Sequence, residues 1–198
     1  MKQTIIGITG GTGCGKTTAL NALAELGFHI IDCDALYHTL LETDREMLQA
    51  IEGLFPGVLS QGKLQRKVLG QRVFSDPEAL KRLNQTVWPF IYRAVEQQIQ
   101  AHAPQNCAID AIGLLESGLD ALCRLTVAVT APTEARVARL MARECISEDY
   151  ARLRIQAQNQ NDVFAAGCSV TIENTFDSAD SFQAHCKKQF QQILKEDV

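Results

Sequence analysis

The 198-residue sequence contains no run of apolar residues near the roughly 18 that a membrane-spanning helix needs. Its opening residues reach a glycine cluster and Lys16 before the apolar core of a signal peptide could form. We therefore expect no membrane partner, no export signal and a cytoplasmic location.

The sequence also has little excess charge and no cysteine framework. Its net charge of −4 argues against a nucleic-acid partner held by overall electrostatics. The seven cysteines are odd in number and include no Cys-x-x-Cys pair, which favours reduced thiols over disulfides or zinc. Hydrophobic residues make up 46% and charged residues 21% of the chain, which is typical of one globular domain, and we expect a monomer.

Five short apolar runs predict β-strands, because none of them alternates with polar residues over a useful length. They lie at residues 4–8, 28–31, 107–112, 125–129 and 170–172. Helical patterns occupy residues 17–26, 34–41, 46–54, 78–101, 132–143, 148–158 and 179–194. Continuous apolar strands between helices predict an α/β fold, in which a five-stranded parallel sheet is covered on both faces.

About 75 helix-rich residues separate the second and third predicted strands, far more than one crossover needs. We therefore predict a helical insertion over residues 33–106 on a single domain of residues 1–198. Residues 43–46 (Thr-Asp-Arg-Glu) have the pattern of a capping box, with Thr43 as the N-cap of the next helix.

Residues 10–17 read Gly-Gly-Thr-Gly-Cys-Gly-Lys-Thr and satisfy the pattern G-x-x-x-x-G-K-[ST] between a predicted strand and a predicted helix. The backbone N–H groups of such a P-loop surround a polyphosphate, the lysine reaches the outer phosphates, and the Thr17 hydroxyl reaches Mg²⁺. We predict that ATP with Mg²⁺ contacts Gly11, Thr12, Gly13, Cys14, Gly15, Lys16, Thr17 and Thr18. Because no Asn-Lys-x-Asp guanine signature is present, a small-molecule kinase is favoured over a GTPase.

Asp32 and Asp34 follow the second predicted strand, at the sheet edge where the P-loop also lies. If the extended geometry continues, both carboxylates lie on one side of the strand. One of them could deprotonate an acceptor hydroxyl and help to position Mg²⁺. The alternative for Asp34 is to cap the following helix, and the two roles can coexist.

Arg136, Arg139 and Arg143 share one face of a predicted helix, and Arg152 and Arg154 follow on the next one. Because phosphoryl transfer needs cations around the migrating group, residues 132–158 are predicted to form a lid over ATP.

Two further acids lie near the same sheet edge. Asp110 closes an apolar run in the manner of a Walker-B acid. Glu116 follows that strand and could hold Mg²⁺ through water or cap a helix.

Together these features resemble the dephospho-CoA kinase family over nearly the whole chain. The resemblance rests on the P-loop and on residues 31–34, 62–66, 69–70, 73–74, 83–84, 89, 114–119, 139–143 and 154–158. It implies a P-loop NTPase three-layer sandwich with a helical insertion lobe and a helical lid. It also implies ATP-dependent phosphorylation of the ribose 3′-hydroxyl of dephospho-CoA, the last step of coenzyme A biosynthesis.

The resemblance further implies a role for individual residues. Asp34 would be the catalytic base, with contacts to the acceptor and to Mg²⁺, while Lys16 and Arg139 would act in catalysis. ATP contacts would include Arg143, and acceptor contacts would include Leu64, Arg66 and Glu116. The alternatives are a P-loop kinase of another nucleoside or nucleotide, and a nucleotide-binding regulatory protein without turnover.

The sequence departs from the family pattern at four positions. His38, Trp88 and Gly113 flank the expected acceptor site, and Cys14 replaces a small serine within the P-loop. At Cys14 we hypothesise that oxidation would crowd the phosphate site and inhibit the enzyme.

Overall fold

The computed structural model describes residues 3–158 and 161–196. The strands are β1 (Ile5–Thr9), β2 (His29–Asp32), β3 (Leu59–Ser60), β4 (Lys63–Leu64), β5 (Cys107–Asp110), β6 (Leu125–Thr130) and β7 (Val170–Glu173). The helices are α1 (Lys16–Glu25), α2 (Cys33–Thr43), α3 (Arg45–Leu54), α4 (Arg66–Val73), α5 (Pro77–Ala101), α6 (Thr133–Glu144), α7 (Glu148–Gln156), α8 (Asn161–Gly167) and α9 (Ala179–Glu196), with a 3₁₀ helix at Leu119–Leu122.

The main sheet has five parallel strands in the order β2-β5-β1-β6-β7. One face carries Ile6 and Ile8, which pack with α1 and α9 around the buried side chain of Phe190. The other face carries Ile31 and Ile109, which pack with α5. Burial on both faces explains why the strands are continuously apolar, and the predicted α/β fold with a parallel sheet is confirmed.

Between β2 and β5 the chain forms α2, α3, the antiparallel β3–β4 hairpin, α4 and α5. These elements enclose an apolar cluster of their own, which includes Met47, Ile51 and Val58. The long helix α5 begins at Pro77, where the Asp76 carboxylate accepts hydrogen bonds from the N–H groups of two first-turn residues.

The start of α2 differs from the prediction. The helix begins at Cys33, so the extended geometry ends at Asp32 and the expected alternation of Asp32 and Asp34 along a strand is wrong. Asp32 has β-region dihedral angles, and its carboxylate accepts a hydrogen bond from the Ala35 N–H at 2.9 Å. Asp32 is therefore the cap, and Asp34 lies within the first helical turn.

The start of α3 needs a similar correction. Asp44, not Thr43, is the N-cap, and its carboxylate accepts a hydrogen bond from the Met47 N–H at 2.9 Å. Thr43 instead completes α2, where its hydroxyl donates to the Thr39 carbonyl at 2.8 Å. The Asp44 carboxylate binds a free N–H group in the first turn of α3, and this replaces the cap expected from the Thr43 hydroxyl.

Among residues 3–158 and 161–196, no helix is both long and apolar enough to cross a lipid bilayer. Even α5, with 25 residues, carries charged side chains along its length.

Candidate active site

The P-loop joins the end of β1 to the start of α1, and its shape requires glycine at two positions. Gly10 has a φ of 141°, and a Cβ there would lie 2.2 Å from the Val129 carbonyl oxygen. Gly15 has a φ of 103°, and a Cβ there would lie 2.5 Å from the side-chain nitrogen of Asn174. Gly15 precedes α1, and no side chain caps this helix in the described structure. The first N–H groups of α1 are thus available to an anion.

Three carboxylates and a lysine meet beside this loop. In the sheet register, Asp110 of β5 lies opposite Asp32 of β2 on one side and Ile8 of β1 on the other. Burial raises the pKa of the Asp110 carboxyl; Lys16 opposes this shift, whereas the carboxylates of Asp32 and Asp34 add to it. The four charged groups therefore influence one another at the carboxyl edge of the sheet.

The same edge fits a magnesium ion that is bound partly by nucleotide. Asp110 has one buried carboxylate oxygen without a hydrogen-bond partner. Thr17 is exposed in the first turn of α1. No group of three or more His, Cys, Asp or Glu side chains in the described part of the chain could hold a metal alone. A few protein oxygens plus phosphates are, however, the usual surroundings of Mg²⁺ in kinases.

A cavity of about 480 Å³ adjoins this edge and is named here the insertion cavity. Its walls come mainly from α2, α4 and α5, and most of its lining is apolar. Of the residues predicted to bind the acceptor, Asp34, Leu64 and Arg66 line it. Glu116 is exposed and is not among its lining residues.

Three positions that depart from the family pattern, His38, Trp88 and Gly113, also line the insertion cavity. His38 is exposed on α2, and Trp88, the one tryptophan of the sequence, is half-buried on α5. Arg66, at the start of α4, forms an ion pair with Glu42 at 3.0 Å. Because both side chains are exposed, Arg66 can exchange Glu42 for another anion at little cost in free energy.

The predicted lid arginines have different surroundings. Arg139 donates hydrogen bonds to the carbonyl oxygens of Gly13, Asn174 and Phe176 and to the Asn174 side chain, over 3.1–3.4 Å. Arg143 is exposed and pairs with Glu144 at 2.5 Å. Arg139 therefore connects the P-loop to the segment after β7, whereas Arg143 has no such contact with the P-loop in the described structure.

The sequence pattern did not distinguish Arg136 from the other arginines of α6, but its contacts in the structure are different. Its side chain is 1% exposed. Its Nε donates to the Thr12 carbonyl at 2.9 Å, and its Nη1 donates to the Asn161 side-chain oxygen at 3.3 Å. The spacing of the arginines predicts that they share one helix face. It does not predict which of them is buried against the P-loop.

The oxidation hypothesis for Cys14 receives no support from the structure. The Cys14 side chain is fully buried, and burial raises the pKa of its thiol even though Arg136 and Lys16 act in the opposite direction. Oxidants react with the exposed thiolate form, which this environment disfavours.

The chain is similar to known kinases over most of its length. Residues 4–180 match the family model described as dephospho-CoA kinase. Curated dephospho-CoA kinases from Thermus thermophilus and Dehalococcoides mccartyi are both 34% identical to it, over 86% of this chain and over 83% and 88% of their own lengths.

Solved structures show the same likeness. A crystal structure from Thermus thermophilus aligns with a TM-score of 0.78 and 31% identity, covering 99% of this chain and 98% of the other. Dephospho-CoA kinase from Campylobacter jejuni aligns with a TM-score of 0.68 and 27% identity, covering 98% of both chains. A shikimate kinase from Bacteroides thetaiotaomicron, with 16% identity over 97% of this chain and 98% of its own and a TM-score of 0.61, shares the fold.

Proposed function

We propose a role for each part of the site from the premise that this chain belongs to the dephospho-CoA kinase family. The chain is accordingly a phosphotransferase that uses ATP to phosphorylate the ribose 3′-hydroxyl of dephospho-CoA. The observation that carries the division of roles is the position of Asp34. It lines the insertion cavity, and its charge acts on Asp110 beside the P-loop.

The P-loop holds the donor in this proposal. Backbone N–H groups of residues 11–18 bind the phosphates of ATP, and Lys16 neutralises the outer ones. Arg139 donates hydrogen bonds to backbone carbonyls of the P-loop and of the segment after β7, and it thereby holds these two segments together. Arg143 is the lid residue that would move to ATP, since only an exposed ion pair holds it.

Mg²⁺ fits beside Thr17, Asp34 and Asp110 because these residues offer the oxygen ligands that it prefers. When bound there it supplies positive charge to the phosphates of ATP. The unpartnered oxygen of Asp110 is the feature of the site that favours this assignment.

The insertion cavity holds the acceptor in this proposal. Its apolar walls suit the uncharged arm of dephospho-CoA, and Arg66 at its edge suits the phosphates, with Leu64 packing beside them. Asp34 accepts the proton of the 3′-hydroxyl while that oxygen bonds to the terminal phosphorus of ATP. The bond from this phosphorus to the bridging oxygen breaks, and ADP leaves. A monomeric, cytoplasmic enzyme is part of the proposal.

The first experiment measures ADP release and product mass from purified protein with Mg·ATP. The acceptors are dephospho-CoA, adenosine, AMP and pantetheine derivatives. We expect ADP only with dephospho-CoA, together with a product that is heavier by one phosphoryl group. Transfer to another acceptor would instead establish a different P-loop kinase, and ATP binding without any transfer would establish a regulatory protein.

A second experiment tests the place of the acceptor. Trp88 is the one tryptophan of the chain, so its fluorescence reports directly on the insertion cavity. We expect a saturable change on titration with dephospho-CoA that is absent in Trp88→Phe. A non-hydrolysable ATP analogue alone should leave the emission nearly unchanged. Binding of dephospho-CoA by calorimetry without any change in Trp88 emission would contradict the assignment of this cavity.

A further inference from the structure

Arg136 is a buried cation without a carboxylate partner. Its side chain is 1% exposed, and no Asp or Glu side chain in the described part of the chain pairs with it. Its two hydrogen bonds go to neutral oxygens, those of the Thr12 carbonyl and the Asn161 amide. A buried guanidinium in neutral surroundings is destabilising, because dipoles replace only part of its lost hydration.

The remaining nitrogen of Arg136 lies against the outer part of the P-loop. This Nη2 atom is buried and has no hydrogen-bond partner. A Cβ built on Gly11 would lie 2.4 Å from Nη2 and 3.3 Å from the side-chain oxygen of Gln158. The unpaired N–H group and the Gln158 oxygen therefore flank the same point of the P-loop.

Gln158 already binds the P-loop at this point. Its side-chain oxygen accepts a hydrogen bond from the Thr12 N–H at 2.7 Å. Backbone N–H groups of a P-loop are the groups that bind phosphate oxygens in P-loop enzymes. The partly negative carboxamide oxygen thus occupies a position suited to an anion.

We propose that Arg136 binds the outer phosphates of ATP, and that Gln158 holds their place at the Thr12 N–H until ATP enters. A phosphate oxygen at this point accepts hydrogen bonds from the Thr12 N–H and from Arg136 Nη2 and supplies the negative charge that the guanidinium lacks. The same cation then stabilises the charge of the transferring group. This inference rests on the proposed use of ATP, and it adds a phosphate contact at Arg136, for which the sequence pattern predicted none, to the contact proposed for Arg143.

The surroundings of the other two arginines of α6 differ from those of Arg136. Arg139 has four acceptors within 3.4 Å, all on the P-loop or on the segment after β7. Arg143 is paired with Glu144 and exposed. In the described structure Arg136 is the arginine of α6 that combines burial, contact with the P-loop and an N–H group without an acceptor.

The first test measures the binding of inorganic tripolyphosphate, a non-hydrolysable ATP analogue and AMP by calorimetry. In Arg136→Met we expect at least a tenfold loss of affinity for tripolyphosphate and for the ATP analogue, with AMP affinity changed less than threefold. Arg136→Lys should recover part of the loss because it restores the charge. The control Arg45→Met removes an exposed arginine from the first turn of α3, and it should bind all three ligands like the wild type.

A purely structural role for Arg136 gives a different pattern. Arg136→Met would then weaken all three ligands alike, and Arg136→Lys would not differ from it. Either result overturns the proposal. Because the tripolyphosphate measurement does not involve dephospho-CoA, it remains informative even if another molecule proves to be the acceptor.

The second test uses Gln158 and does not require Arg136→Met to fold. Gln158→Ala removes the competing oxygen, so we expect the ATP analogue and tripolyphosphate to bind severalfold more tightly. Weaker binding of tripolyphosphate to Gln158→Ala would show that Gln158 supports the phosphate site rather than competing for it, and the proposed exchange would be wrong.

Discussion

Asp34→Asn removes one negative charge while nearly preserving the shape of the side chain. Asp34 lies in the first turn of α2, but the capping hydrogen bond of this helix is accepted by Asp32. The substitution therefore costs only the interaction of a charge with the helix N-terminus, about 0.3–1 kcal/mol. In a chain of this length the melting temperature should fall by no more than about 4 °C.

The effect of Asp34→Asn on the rate should be far larger. General bases contribute roughly 10²–10⁴-fold to kcat, which corresponds to about 3–5 kcal/mol of activation free energy. Binding of ATP should stay within about threefold of the wild type, since Lys16 and the P-loop amides remain. The assay is steady-state ADP release with saturating ATP and varied dephospho-CoA, beside calorimetry of ATP binding and thermal unfolding.

The result that would refute this reasoning is a kcat within tenfold of the wild type and an unchanged KM for dephospho-CoA. Another carboxylate would then be the base, with Asp32 and Asp110 as the candidates that face the same edge. Asp32→Asn is a useful comparison for stability, because asparagine caps helices about as well as aspartate and α2 should remain intact. A large loss of stability in Asp34→Asn would show instead that this carboxylate is mainly structural.

Three further predictions concern binding, pH and packing. Lys16→Ala should weaken ATP binding by at least about tenfold and also lower kcat, because a charge on the outer phosphates is lost; unchanged transfer would contradict the P-loop assignment. Burial, and then the charge of the stacked His102 ring, lowers the pKa of His29. The unfolded chain therefore binds more protons than the folded chain below about pH 6.5. The free energy of unfolding should fall from pH 7 to pH 5, and it should fall less in His29→Gln; urea unfolding at both pH values measures this. Phe190→Ala, at a fully buried position under the sheet, should cost about 3–5 kcal/mol in denaturant unfolding without changing the kcat of the folded fraction; a small loss would contradict the close packing of α1 and α9.

The sheet and the P-loop were predictable because their signals are local. Each strand is a short apolar run, and the observed strands begin and end within two residues of the predicted ones, as at β6 (Leu125–Thr130). The glycines at positions 10 and 15 have positive φ angles that other residues rarely adopt. Such requirements act on neighbouring residues, so a sequence pattern records them directly.

Weakly patterned elements were not predicted. Half of the residues of helix α4 are polar or charged, and the helix buries only Leu69 and Val73, while α8 buries Phe164. The β3–β4 hairpin has two residues in each strand. These elements are short, and contacts with the rest of the insertion or with β6 stabilise them more than their own propensity does.

The two aspartates at the end of β2 show a competition that the pattern alone could not decide. Asp32 and Asp34 are both suited to cap a helix, and the choice depends on the residue at which the extended chain turns. The register of β2 with β5 continues through Asp32 opposite Asp110, and α2 begins immediately afterwards. Sheet pairing thus assigns the cap to Asp32 and leaves the carboxylate of Asp34 to the cavity.

The arginines of α6 show most clearly where the sequence alone is sufficient and where it is not. The spacing of Arg136, Arg139 and Arg143 determined that all three lie on one helix face after β6. Only the tertiary structure decided their charge environments. Arg136 meets Thr12, which is 124 residues away in the chain, and Arg139 meets Gly13, which is 126 residues away. Burial and the acceptors around a guanidinium come from such distant segments, so no local pattern contains them.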